Sequence, residues 1–148
     1  MDKIKIYKVL PEERLILEYL KGKVTWGEYT EMKKEEVADP GYNAGYDVIV
    51  DIRDLHTDFS LKIEKEILNY IEFLSDQEEP LNHRSSVITD TPKQLLHAEF
   101  FKMSGGGLPI KLKTVSTYES AFDYIQLNIE KHQKIIDVFQ EMKSLGGL

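Results

Sequence analysis

Residues 47–52, DVIVDI, constrain the fold more than any other stretch of the chain. A strand with one wet face alternates apolar and polar residues with period two. The VIV run between Asp47 and Asp51 does not alternate, so it reads as a central strand buried on both faces. Such a strand needs neighbouring strands on both edges and helices packed on the sheet.

The flanking segments supply those elements. KIKIYKVL (3–10) sets Ile4, Ile6 and Val9 against Lys3, Lys5 and Lys8, the pattern of a half-wetted strand. PEE (11–13) makes a turn into a second strand, RLILEYL (14–20), so the two form a hairpin that Gly22 ends or bends. Thr25 and Glu28 stand at capping-box spacing before a helix that lines up Tyr29, Met32 and Val37. DPGYNAGY (39–46) is dense in turn formers and ends it.

After the RDLHTDF loop, Ser60 caps a helix running to about Asp76, with Ile63, Ile67, Tyr70, Ile71 and Leu74 at helical period. RSSVITD (84–90) is a short strand, and Pro92 starts a helix to about Met103. SGGGLP (104–109) is a loop, and IKLKTV (110–115) alternates as a strand. Thr117 caps a helix whose stripe runs from Tyr118 through Phe122, Ile125, Ile129 and Ile136 to Phe139, interrupted but not broken at Asn128 and His132. The predicted fold is α/β: a mixed five-stranded sheet with packed helices, in the order β-β-α-β-α-β-α-β-α.

DPGYNAGYDVIVDIRDL, RSSVITDTP and VSTYESAFDYI, in this order and spacing, resemble the bacterial proteins related to the sporulation anti-sigma-factor antagonist (SpoIIAA-like), within the STAS superfamily. The resemblance covers residues 4–127, so residues 1–127 read as a STAS-like domain and 128–148 as its C-terminal helical extension. It implies a STAS fold and a regulatory role through protein recognition. It also implies that Ser60, at the start of the helix after the central strand, is the candidate phosphosite. The family pattern there is an Asp, two Ser and a Gly, whereas this chain has DFSL at 58–61.

Composition removes several chemistries. The chain has no Cys, which excludes disulfides, thiol catalysis and Cys-ligated metals. Its formal charge of −7 opposes non-specific nucleic-acid binding. No stretch has the length of a membrane span or a signal-peptide core, and a cytoplasmic location is the expectation. No G-x-S-x-G elbow, phosphate-binding loop or dinucleotide fingerprint occurs, and the four His show no metal-ligand spacing. No cofactor or metal is expected.

Two groups of residues remain as candidates. Asp51, Arg53, Asp54, His56, Thr57 and Asp58 crowd the exit of the central strand, and with the helix to residue 75 they read as a protein-recognition surface. Two carboxylates and a His also suit acid–base chemistry, so a hydrolytic enzyme is a lesser alternative. Trp26, Tyr29, Tyr42 and Tyr46 gather around the first helix, and a hollow there would hold a lipid or small apolar molecule. The stripe of Ile129, Ile136, Phe139 and Met142 must fold back on the domain, pair in a homodimer or receive another protein. The expectation is a non-enzymatic binding or regulatory domain, with apolar-ligand binding as the alternative.

Overall fold

The computed structural model describes residues 3–56, 61–77, 83–104 and 110–146. Five strands form one sheet in the order β1 (Ile4–Leu10), β2 (Leu15–Gly22), β3 (Asp47–Leu55), β4 (Arg84–Ile88) and β5 (Lys111–Val115). β1 and β2 make an antiparallel hairpin, and every later pairing is parallel. The sheet is mixed, as the sequence predicts, with β3 at its centre.

The three parallel connections run through α1 (Trp26–Ala38), α2 (Leu61–Ser75) and α3 (Pro92–Ser104). Each step moves to the next strand in the same direction. Crossovers of one hand therefore put all three helices on one face, and α1 packs on α2, which packs on α3. After β5 the chain turns to the other face as α4 (Tyr118–Tyr124) and α5 (His132–Gly146).

Period two divides the core between these layers. Ile16, Leu20, Val48, Val50 and Ile52 face α1–α3, where Met32 and Ala98 meet them. Leu15, Leu17, Tyr19 and Ile49 point the other way, against Phe122, Ile135, Phe139 and Met142. Thr25 and Glu28 close the capping box at the start of α1, and Thr117 caps α4 by accepting from the Ser120 N–H.

Three expectations need correction. The last helix is not continuous. Gln126 adopts a left-handed φ of 58°, and the Leu127 N–H donates to the Phe122 carbonyl while the Gln126 N–H donates to Asp123. That is a Schellman stop with Gln where Gly is usual. Asn128 then caps a short 3-10 turn, Ile129–Lys131, that leads into α5. The break turns the stripe, so Ile135 is buried while Ile129 is 78% exposed.

β3 does not end at Ile52 but runs to Leu55. One extra residue lies in β3 between the pairs Tyr19–Asp51 and Lys21–Asp54, a β-bulge. On α1 the buried residues are Thr30, Met32, Lys33 and Glu36; Val37 is only partly covered. Ile136, Phe139 and Met142 of the C-terminal stripe fold back on the sheet.

Candidate functional site

The exit of β3 holds its polar residues in separate partnerships. Asp51 is fully buried. It accepts from Arg53 Nε and Nη2 at 3.0 and 2.9 Å and from the Arg53 backbone N–H at 3.1 Å. Lys143 of α5 reaches the same carboxylate at 3.3 Å, and the Tyr118 hydroxyl donates to it at 3.3 Å. Burial pushes the Asp51 carboxyl up, but the Arg53 hydrogen bonds and the Lys143 charge outweigh it and hold the group below the usual carboxylate range. Arg53 lies over the Tyr118 ring, 4.6 Å from its centroid.

The bulge re-aims Asp54, which accepts from the Tyr19 hydroxyl of β2. His56 is exposed, and its backbone N–H donates to Gly22. Gln94 of α3 donates to the carbonyls of Arg53 and Leu55 at 3.0 and 3.1 Å, which pins the strand's end. Asp51, Asp54 and His56 thus meet different partners and do not converge on a cleft. Thr57, Asp58 and Ser60 lie outside the described residues. Among the described residues no group of three or more His, Asp or Glu could hold a metal ion, and no helix is long and apolar enough to cross a membrane.

The opposite face carries a cavity of about 90 Å³ between the sheet and α1–α3. Trp26, Tyr29, Tyr70 and Phe101 give it aromatic walls, and Val50, Ile52 and Val87 line its floor on the sheet. The rings brace one another: Trp26 lies 5.4 Å from Phe101 and 5.3 Å from His97, both stacked, and Tyr29 lies 5.1 Å from Tyr70. The Trp26 indole N–H donates to His97 Nε2 at 2.6 Å. Of the predicted aromatic group, Trp26 and Tyr29 line this space. Tyr42 instead packs beside Ala44 and Tyr70, and Tyr46 sits under Arg14, 6.0 Å from its guanidinium carbon.

A buried charge network borders the cavity. Glu18 of β2 is fully buried, and Lys33 bridges it to Glu36, at 2.9 Å from each. The Tyr29 hydroxyl also donates to Glu18. Desolvation opposes ionisation of Glu18, but the Lys33 charge and its hydrogen bonds hold that carboxyl low. Desolvation and the neighbouring Glu18 charge push the Glu36 carboxyl well up. Glu18, Lys33 and Glu36 escaped the sequence reading. The available signal was an acid inside the run LILEYL, with Tyr29, Lys33 and Glu36 at i, i+4 and i+7 on α1.

His83, just before β4, is 8% exposed and lines the cavity at the opening edge of that strand. Burial, with the Lys33 charge, lowers its pKa to about 4. His83 and His56 stand at opposite ends of the parallel strands β4 and β3.

No family model matches the chain, and no curated protein matches it. Its structure is similar to that of an uncharacterized DUF3478-family protein with a SpoIIAA-like fold from Shewanella loihica PV-4. The TM-score is 0.53 and the identity 16%, over 84% of this chain and 94% of that one. The likeness is one of fold, and it agrees with the strand order and helix layers described above: the chain has a SpoIIAA-like fold.

Proposed function

We propose that the chain is a non-catalytic binding domain that takes a small apolar molecule into the cavity beneath α1–α3. The cavity carries this reading. Close-packed interiors leave few voids larger than a water, yet this one has about 90 Å³ of space behind aromatic walls. Clefts that bury drug-sized ligands measure roughly 300–1,000 Å³, so the enclosed part of the ligand is a single ring or a short branched chain. The separate engagement of Asp51, Asp54 and His56 weighs against hydrolysis at the β3 exit.

Toluene is the first probe. Trp26, the single tryptophan of the chain, lines the cavity and reports on its filling. Saturable quenching or enhancement of its emission is expected. Ala98→Leu, which adds volume at a cavity-lining position of α3, should abolish that response while circular dichroism stays native. No saturable binding, or equal binding by Ala98→Leu, would refute the reading.

A second reading, protein recognition by residues 51–75, draws support from Leu68 of α2, which is 52% exposed. It predicts that Leu68→Asp abolishes co-purification of a partner without altering toluene binding. Retention of the partner by Leu68→Asp counts against that surface.

A further inference from the structure

The amino ends of the parallel strands bring cations together. β3, β4 and β5 begin at Asp47, Arg84 and Lys111. Arg84 pairs with Lys111 in register, so the two stand on neighbouring strands about 5 Å apart at the backbone. Both side chains belong to the α4–α5 face. Two residues further along each strand, Ser86 donates to the Ala121 carbonyl of α4 and Lys113 lies over the Tyr124 ring. Tyr124, at the end of α4, braces the pair: its carbonyl accepts from Arg84 Nη1 at 3.5 Å, and its hydroxyl donates to the Lys111 carbonyl at 3.1 Å. Like charges side by side on one sheet face repel.

These two cations line an open groove of about 530 Å³ together with Glu13, Arg14 and Asp47. Both carboxylates there are already taken. Asp47 accepts from the Arg84 backbone N–H at 2.8 Å and from Arg84 Nη2 at 2.9 Å. Glu13, whose side chain is almost fully buried, accepts from Lys134. Among the described residues, Arg14 and Lys111 meet no carboxylate; Arg14 lies 6.0 Å from the Tyr46 ring. The groove therefore keeps two uncompensated cations in a chain of formal charge −7. Arg84 also keeps N–H donors beyond those that Asp47 and Tyr124 use.

Chemistry selects the occupant. The guanidinium fork suits phosphate and carboxylate alike. A carboxylate brings one charge and two oxygens in one plane. A phosphoryl group at pH 7.5 brings close to two charges and three acceptor oxygens. That is enough to bridge Arg84 and Lys111 while the second charge offsets Arg14.

We propose that this groove binds a phosphoryl dianion, held by the Arg84 guanidinium and Lys111 Nζ, with Arg14 adding attraction. The groove has room for a small organic body on the phosphate. His83 lines both this groove and the apolar cavity, but the two share no other residue. Toluene binding therefore does not bear on this site.

The test is a calorimetric titration of the full chain at pH 7.5 and low salt, with glycerol 3-phosphate, inorganic phosphate, acetate and glycerol. Saturable one-to-one binding of a phosphoryl ligand is expected, with amide shifts in ¹H–¹⁵N spectra concentrated at Arg84 and Lys111. Glycerol should not bind. Acetate should bind about tenfold more weakly, for want of the second charge and third oxygen. Lys111→Gln removes one charge-assisted hydrogen bond and should weaken phosphoryl binding about tenfold. Lys5→Gln makes the same charge change at an exposed position of β1, on the far edge of the sheet, and should leave binding unchanged.

Tighter binding of glycerol 3-phosphate than of inorganic phosphate identifies a phosphomonoester as the ligand. Equal or tighter binding of inorganic phosphate identifies the free ion. No saturable binding by either would overturn the proposal. So would acetate binding as tightly, since the groove would then be selecting charge of any kind. Equal weakening by Lys5→Gln and Lys111→Gln would overturn it too, by tracing the affinity to net charge. The unaltered protein decides the first two points whatever the variants do.

Discussion

Acidification should unfold this protein partly through His83, by an amount its burial allows one to work out. The ring is 8% exposed and titrates at about 4 in the folded chain. An unfolded His titrates near 6.5. Its folded pKa is depressed, so below pH 6.5 the unfolded state binds the proton first. Stability from this group is complete above about 6.5 and is lost as pH falls toward 4. The linkage integral gives a loss of about 2 kcal/mol at pH 5 and about 3 kcal/mol at pH 4. The groups acting on the ring are Lys33 of α1, Glu18 of β2 and Asp47 of β3. Lys33 reinforces the shift and the two acids oppose it. Asp47 is itself held by Arg84 at 2.9 Å, which blunts its pull. Urea unfolding of the unaltered protein and of His83→Leu, at pH 7.5 and pH 5, isolates the term. The carboxylates titrate in both proteins, so they cancel to first order in the difference. The unaltered protein should lose about 2 kcal/mol more than the variant over that interval. Equal losses, or a His83 resonance that titrates between pH 6 and 7 in the folded state, would refute the burial reasoning.

Lys33→Met leaves the buried Glu18 carboxylate without its cation, and should cost about 3–5 kcal/mol in urea unfolding. Adding Glu18→Met should recover most of that loss; no recovery would show that Lys33 acts through packing of its stem instead. Gln126→Gly should raise stability by about 0.5–1 kcal/mol, because relief of the left-handed strain exceeds the backbone entropy that glycine adds. The Gln126 side chain is exposed, so no packing is lost, and the shift in the urea midpoint checks it.

The layers of the fold were legible because they depend on local periodicity. Alternation in KIKIYKVL, the unbroken VIV run and the Thr25/Glu28 pair each specify an element without reference to anything distant. The departures have non-local or concealed causes. The stop at Gln126 carries no glycine to announce it, since the two Schellman hydrogen bonds hold a residue that does not favour that conformation. The bulge after Asp51 appears only once β3 is set in register with β2. It explains why two acids three positions apart, Asp51 and Asp54, both find partners on the α4–α5 side: Arg53, Tyr118 and Lys143 for one, Tyr19 for the other. The cavity was half legible. Trp26 and Tyr29 are close in sequence on α1, but Tyr70, His83 and Phe101 come from later elements that only the crossovers bring beside them.

Glu18 and Tyr19 are adjacent in β2 and point to opposite faces, and each anchors a polar cluster in its own layer. On the α4–α5 side, Lys143 ties the C-terminal helix to the Asp51 node near Tyr19, and the surrounding core is filled by Phe122, Phe139 and Met142. On the α1–α3 side, Lys33 fixes α1 over the sheet through Glu18. A buried ion pair gives little net stability compared with well-packed apolar residues, but it penalises any shift that separates the charges. Sliding α1 to close the cavity would pull Lys33 from Glu18 and leave a charge unpaired in the interior. The salt bridge therefore acts as a spacer. Trp26 and Tyr29 line the space above Val50 and Ile52 that such a slide would close.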